Sequence, residues 1–298
     1  MKTGERSVSV DIMGSRMTAL DAGEGEVVVL GSSFLWDSEM WRPQIDALSQ
    51  HYRVVVPHLW GHGGSGAMPP ATKDLRDLAR QNLLLLDHLG IQRFAMVGLS
   101  VGGMWGAELA LLVPEQVTAL ALLDTFLGAE PADSRARYFA VLDAVAATRS
   151  LPDAVLDAVV PLFFSGNVQA TAPDLPARFR ARLKAWDSGR LVDAVVPLGR
   201  LIFNRRDALA DLARLTLPAV VMTGQQDIPR PVAEGRQMAA AMGCPFIELP
   251  GAGHIASLET PGAVTDHLLD FLGQALPKAP EPGEKPQGPE DSIAEIDE

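Results

Sequence analysis

The stretch Phe94-Ala-Met-Val-Gly-Leu-Ser-Val-Gly-Gly-Met104 decides how this chain is read. An apolar, strand-like run (Phe94 to Leu99) enters it and an apolar, helix-like run (Met104 to Leu112) leaves it. Between them Gly98-Leu99-Ser100-Val101-Gly102 spells G-x-S-x-G. This is the pattern of a strand-to-helix turn so tight that its central serine is held in a strained conformation, with Oγ over the first helical turn. The flanking glycines permit a strand–helix approach at which a Cβ would clash. The backbone N–H of Val101 then points at any oxyanion formed beside Ser100. In a chain with 27 glycines the five-residue spelling alone is weak, so the strand before it and the helix after it carry the assignment.

Outward from this turn the chain alternates. Ser7 to Ile12 and Arg16 to Leu20 flank Met13-Gly14-Ser15 and predict a hairpin. Val27 to Leu30 and Arg53 to Pro57 are short apolar runs suited to buried parallel strands, with a helical stretch from about Met40 to Leu48 between them. A second helical pattern, Leu75 to Leu89, leads to the central strand, and Val117 to Leu123 forms the next. Later come Leu217 to Thr223, a helix over about Pro231 to Met242, the strand Pro245 to Leu249 and a last helix over Pro261 to Leu276. Strands alternating with helices predict an α/β fold with a mostly parallel sheet flanked on both faces. Residues 1–124 and 208–276 form the expected core. Residues 125–207 hold only helical patterns broken by Pro and Gly, and predict an inserted helical cap or lid with a large apolar content.

Ligands bind at the carboxyl ends of the strands in such sheets. Ser100, Asp227 and His254 each follow a strand, in the chain order Ser, Asp, His expected of this turn. A serine hydroxyl needs a base, His254 can take and return its proton, and Asp227 can orient the imidazole and stabilise its cation. Asp124, which closes the strand after the elbow helix, is a rival acid. Among the other histidines, His51, His88 and His267 read as groups outside the site, His62 as a brace for its glycine-rich turn, and His58 as able to reach the site rim.

Composition narrows the partners. The net charge of −12 argues against nucleic acid and anionic membrane. No run is long and apolar enough to span a bilayer, and the amino terminus lacks the apolar core of a secretory signal. A single cysteine, Cys244, excludes an internal disulfide and a cysteine-based metal site, reads as a buried small apolar residue, and fits a cytoplasmic address. Residues 277–298, rich in Pro, Gly and Glu, predict a disordered acidic tail.

Four motifs together, Gly-Leu-Ser-Val-Gly-Gly-Met (98–104), Gly-His-Gly-Gly-Ser-Gly (61–66), Gly-Gln-Gln-Asp (224–227) and Gly-Ala-Gly-His (251–254), resemble the α/β-hydrolase superfamily over residues 7–276. The spelling around Ser100 is similar to 3-oxoadipate enol-lactonases and to carboxylesterases acting on pimeloyl-carrier methyl esters. The resemblance implies a serine hydrolase of the esterase and lactonase branch. Counting back from Trp41, which resembles a tryptophan common at that place, sets Ser32-Ser33 where many relatives carry His-Gly. Phe34 then takes the second oxyanion position, with Ser33 as the next candidate; a backbone donor needs no particular side chain. His58 also departs from the family pattern, standing where Asp is frequent.

These features predict hydrolysis of a small-molecule carboxylic ester, lactone or thioester with an apolar acyl or alicyclic part, through an acyl-enzyme, with no metal or cofactor. The same residues are compatible with C–C hydrolysis, acyl transfer or cofactor-free perhydrolysis. A non-catalytic ligand-binding protein on this fold is the reading from a different class, as is an interaction scaffold acting through the tail.

Overall fold

The computed structural model describes residues 4–276. The predicted acidic tail, 277–298, lies outside them. Eight strands form one sheet: β1 (Glu5–Ile12), β2 (Ser15–Ala22), β3 (Val27–Gly31), β4 (Arg53–Pro57), β5 (Phe94–Leu99), β6 (Val117–Leu123), β7 (Ala219–Gly224) and β8 (Phe246–Leu249). Their order across the sheet is β1-β2-β4-β3-β5-β6-β7-β8. β1 and β2 are antiparallel, β2 meets β4 antiparallel, and every later pairing is parallel. The first hairpin closes on Met13 and Gly14, both at positive φ, as a two-residue turn matched to strand twist requires.

The parallel strands are buried on both faces because alternate residues meet different helices. Val28 and Leu30 of β3 join Ile45 and Leu48 of α1 (Arg42–Leu48), which packs beside α12 (Pro261–Ala275). Val29 joins the opposite core with α2 (Leu75–His88), α3 (Val101–Leu112) and α10 (Val232–Met242). β3 and β5 are neighbours, yet the chain leaves β3 for β4 on one side and returns to β5 on the other. The carboxyl ends of β3 and β5 therefore flank the point where the order reverses, the place where open α/β sheets form a crevice.

Between β6 and β7 the described chain contains no strand. It runs through α4 (Ala132–Thr148), α5 (Asp153–Val159), α6 (Val168–Thr171), α7 (Asp174–Lys184), α8 (Ser188–Arg190) and α9 (Val196–Phe203). Two prolines set its subdivisions. The helical pattern that begins at Asp153 ends as α5, followed by a tighter turn at Val160–Phe163 that contains Pro161. Before α9 the helix widens to a π turn over Leu191–Val195, where the Val196 N–H reaches the Leu191 carbonyl. Pro197 has no N–H and would crowd the carbonyl four residues earlier, that of Asp193. That carbonyl accepts instead from the Met68 N–H at 3.1 Å, which ties the insertion to the loop after β4.

Two expectations shift in detail. The elbow helix begins at Val101, three residues before the periodic apolar run that marked it. Cys244 is half-buried rather than buried, because it sits in the turn after α10 and not within the strand. Among the described residues, no helix is long and apolar enough to cross a membrane.

Candidate active site

Ser100 stands at the end of β5 with φ 57 and ψ −123, a conformation that few residues other than glycine adopt. Backbone contact enforces it. A Cβ on Gly98 would lie 2.4 Å from the Gly102 carbonyl carbon, and one on Gly102 would lie 2.1 Å from the Gly31 carbonyl oxygen at the end of β3. The turn is pinned further by the Ser100 N–H, which donates to the Leu123 carbonyl at 2.9 Å, and by the Thr125 hydroxyl, which donates to the Ser100 carbonyl at 2.6 Å.

The three side chains singled out by order in the chain come together here. The Ser100 hydroxyl lies 3.0 Å from His254 Nε2, and His254 Nδ1 lies 2.9 Å from Asp227 Oδ2. With the Nδ1 proton donated to the carboxylate, Nε2 is left as the acceptor facing the serine. Asp227 is fixed in turn, since its Oδ1 accepts the Arg230 N–H at 2.9 Å. All three are more than nine-tenths buried. Such a line can draw a proton from the hydroxyl, store it on the imidazole and return it to a leaving group.

Asp124 is brought near but does not meet His254. It is fully buried, and its Oδ1 accepts the Gly224 N–H at 2.7 Å. Burial first, and then the charge of Asp227, hold its carboxyl well above the usual carboxylate range.

Ser33 and Phe34 line the cavity at Ser100, while the Val101 side chain turns into the core beneath it. Among the described residues neither the Phe34 nor the Val101 N–H has a protein acceptor, and both remain free to donate. The loop carrying Phe34 is braced by three residues. The Ser33 N–H meets Met40 Sδ at 3.1 Å, and the Leu35 N–H donates to His62 Nε2 at 3.1 Å. From the insertion, Arg182 donates to the Leu35 carbonyl at 2.8 Å and to Asp37 at 3.1 Å, with its guanidinium 4.5 Å over the Trp36 ring. His62 thus does more than brace its own turn. Its Nδ1–H donates to the Trp60 carbonyl at 2.7 Å, which leaves Nε2 as an acceptor, and burial lowers its pKa to about 4 and keeps it neutral. No local signal in the sequence marks His62 and Arg182 as supports of this loop.

His58 does not reach the rim of this cavity. It is buried on the other side of the loop after β3, with Nδ1 3.0 Å from Thr18 Oγ1 and Nε2 3.0 Å from Ser38 Oγ. Thr18 donates its hydroxyl to the Gly63 carbonyl, so Nδ1 carries the proton and Nε2 accepts from Ser38. A histidine satisfied at both nitrogens accounts for the departure at this position.

The cavity over Ser100 measures about 580 Å³ and is mostly apolar, with Leu142, Val159, Phe163 and Phe203 among the side chains that the insertion contributes. Its wall also holds a buried ionic knot. Glu130, just before α4, accepts from Arg205, just after α9, at 2.8 Å, and from Arg230 at 2.8 and 2.9 Å. The two ends of the insertion and the loop that holds Asp227 are joined there. Among the described residues no group of metal-ligating side chains is arranged to hold a metal.

Residues 26–261 match the α/β hydrolase fold family. The chain belongs to that family. This α/β hydrolase is 29% identical over 257 residues to a protein of Pseudomonas savastanoi pv. phaseolicola provisionally named carbamate hydrolase RutD, covering 84% of this chain and 94% of the other. Its fold is similar to a thermophilic esterase from Thermogutta terrifontis, with TM-score 0.81, 25% identity and 91% and 99% of the two chains covered. It is also similar to the enol-lactonase from Burkholderia xenovorans LB400, with TM-score 0.78, 28% identity and 89% and 100% covered.

Proposed function

We propose that this α/β hydrolase cleaves a small carboxylic ester, lactone or thioester through Ser100, His254 and Asp227. The observation that carries the reading is the line of hydrogen bonds from the Ser100 hydroxyl through His254 to Asp227, at the floor of a largely apolar cavity. Ser100 attacks the carbonyl carbon while His254 takes its proton. The oxyanion is held by the N–H groups of Val101 and Phe34, and the leaving group takes the proton back from His254. Water then enters, loses a proton to His254, attacks the acyl carbon and releases the acid and Ser100. The insertion acts as a cap, and its apolar side chains fit a medium acyl or alicyclic group. The test is fluorophosphonate labelling, with Ser100→Ala alongside, followed by p-nitrophenyl esters of increasing chain length. Labelling and turnover that both vanish in the variant support the reading, and a folded protein that does neither refutes it.

A second reading is favoured by the similarity to the protein named carbamate hydrolase. A carbamate presents the same carbonyl with a nitrogen substituent, and His254 would then protonate an amine. Release of ammonia from a simple carbamate, faster than ester turnover, would favour it.

A further inference from the structure

Residues 163–166 of the insertion are bonded to both loops that hold the proton-transfer groups. The Phe163 carbonyl accepts the Ile255 N–H at 3.2 Å, one residue after His254. The Gly166 N–H donates to the Gln226 side-chain oxygen at 2.9 Å, one residue before Asp227. Between these lies Glu259, the last residue of the short helix α11 (Ala256–Glu259). Its Oε2 accepts the Ser165 N–H at 2.9 Å, and its Oε1 accepts the Gly253 N–H at 3.0 Å, one residue before His254. The backbones meet so closely that a Cβ on Gly253 would lie 2.3 Å from the Ser165 nitrogen. The Phe163 ring packs 5.6 Å from the imidazole. Glu259 is buried, and the proposed reaction gives it no step.

We propose that Glu259 is a positioning residue whose carboxylate joins the cap at Ser165 to the backbone just before His254, so that the imidazole is aligned for proton transfer only while that cap segment is seated. This rests on the hydrolase reading above. A carboxylate turns an acceptor toward each of two amide donors, and both donors are buried where water cannot replace it. Removing it frees the turn on which His254 stands, and a displacement of about 1 Å in a reacting group is enough to cost ~10²-fold in rate. An amide at this place keeps one acceptor and sets an NH2 against the other N–H.

The experiment compares full-length wild type, Glu259→Ala and Glu259→Gln. It reads p-nitrophenyl butyrate kinetics, fluorophosphonate labelling rate, thermal melting and the low-field proton resonance of His254 Nδ1–H. Expected is a kcat lower by ~10²-fold in Glu259→Ala with KM changed by less than about threefold, an intermediate value in Glu259→Gln, and a shifted or broadened low-field proton. A fall in melting temperature with kcat unchanged would overturn the proposal, as would a raised KM at constant kcat. If Glu259→Ala does not fold, Glu259→Gln carries the same comparison. If the wild type neither labels nor turns over ester, the hydrolase reading fails by itself. The low-field proton then still decides the positioning role, and an unchanged resonance in a folded variant overturns it.

Discussion

Replacing Glu130 by alanine tests whether the knot at the ends of the insertion is a structural clasp. Glu130 takes three hydrogen bonds from two guanidiniums, and the side chains of Glu130, Arg205 and Arg230 are 1%, 1% and 6% exposed. Without it, Arg205 keeps only the carbonyls of Gly128 and Ile202. Arg230 keeps Glu234 at 3.4 Å, whose own carboxyl is pushed up, chiefly by burial. Two buried cations would face one weakened anion. Stripping one partner from a buried ion cluster costs roughly 3–5 kcal/mol. At roughly 2–4 °C per kcal/mol for a domain of this size, the melting temperature should fall by roughly 6–20 °C. Glu130→Gln keeps an acceptor oxygen and should cost less. Because the Arg230 N–H also holds Asp227, activity at temperatures well below melting should drop as well. Differential scanning calorimetry of the three proteins measures the shift. A Glu130→Ala protein within about 1 kcal/mol of wild type would refute the reasoning, for the charges would then be solvated in a way that their burial excludes.

Three other predictions follow from the pKa directions and the hydrogen bonds. Asp124→Asn replaces an acid that does not meet His254, so kcat should stay within about threefold, whereas Asp227→Asn should lose on the order of 10⁴-fold; steady-state kinetics separate the two assignments. Because Asp124 has a raised folded pKa, its stabilising share is full below the ordinary carboxylate range and is lost as pH rises; denaturant melts should show Asp124→Asn gaining on wild type as pH rises above that range. His62 works in the opposite sense. Its folded pKa of about 4 lies below the ordinary 6.5, so its contribution is whole above pH 6.5 and fades as pH falls toward 4, by roughly 3 kcal/mol in all. His62→Gln should flatten that part of the acid limb, and an unchanged pH dependence of stability would count against a buried neutral imidazole.

The legible parts of this chain share one physical origin. Strands β3 to β7 are buried on both faces, so their apolar runs stand out without any alternation. The elbow is legible because Gly98 and Gly102 answer a local contact whose need is written in five residues. Asp124 and Asp227 both close a strand of the same sheet, so the sequence favours Asp227 and keeps Asp124 as its rival. In space Asp227 lies 2.9 Å from His254 Nδ1, while Asp124 accepts the Gly224 N–H. His62, Arg182 and Glu259 escaped because the loops they support, at Leu35 and Ser165, lie far along the chain, and an isolated His, Arg or Glu carries no periodic or spacing signal. The helices of the insertion were recognised, while their divisions at Pro161 and Pro197 followed from backbone donors that the apolar pattern does not register.

The sheet order also sets a schedule. The chain is made from its amino terminus, and early segments fold while later ones are still missing. Ser100 lies on a central strand, but His254 follows β8, the strand at the far edge and the last to be synthesised. A nascent or truncated chain that has built the elbow and lacks β8 carries a serine with no base. On the proposed mechanism the hydroxyl is then an ordinary alcohol that passing esters do not acylate. Reactivity, on that mechanism, is withheld until the segment after that edge strand is in place.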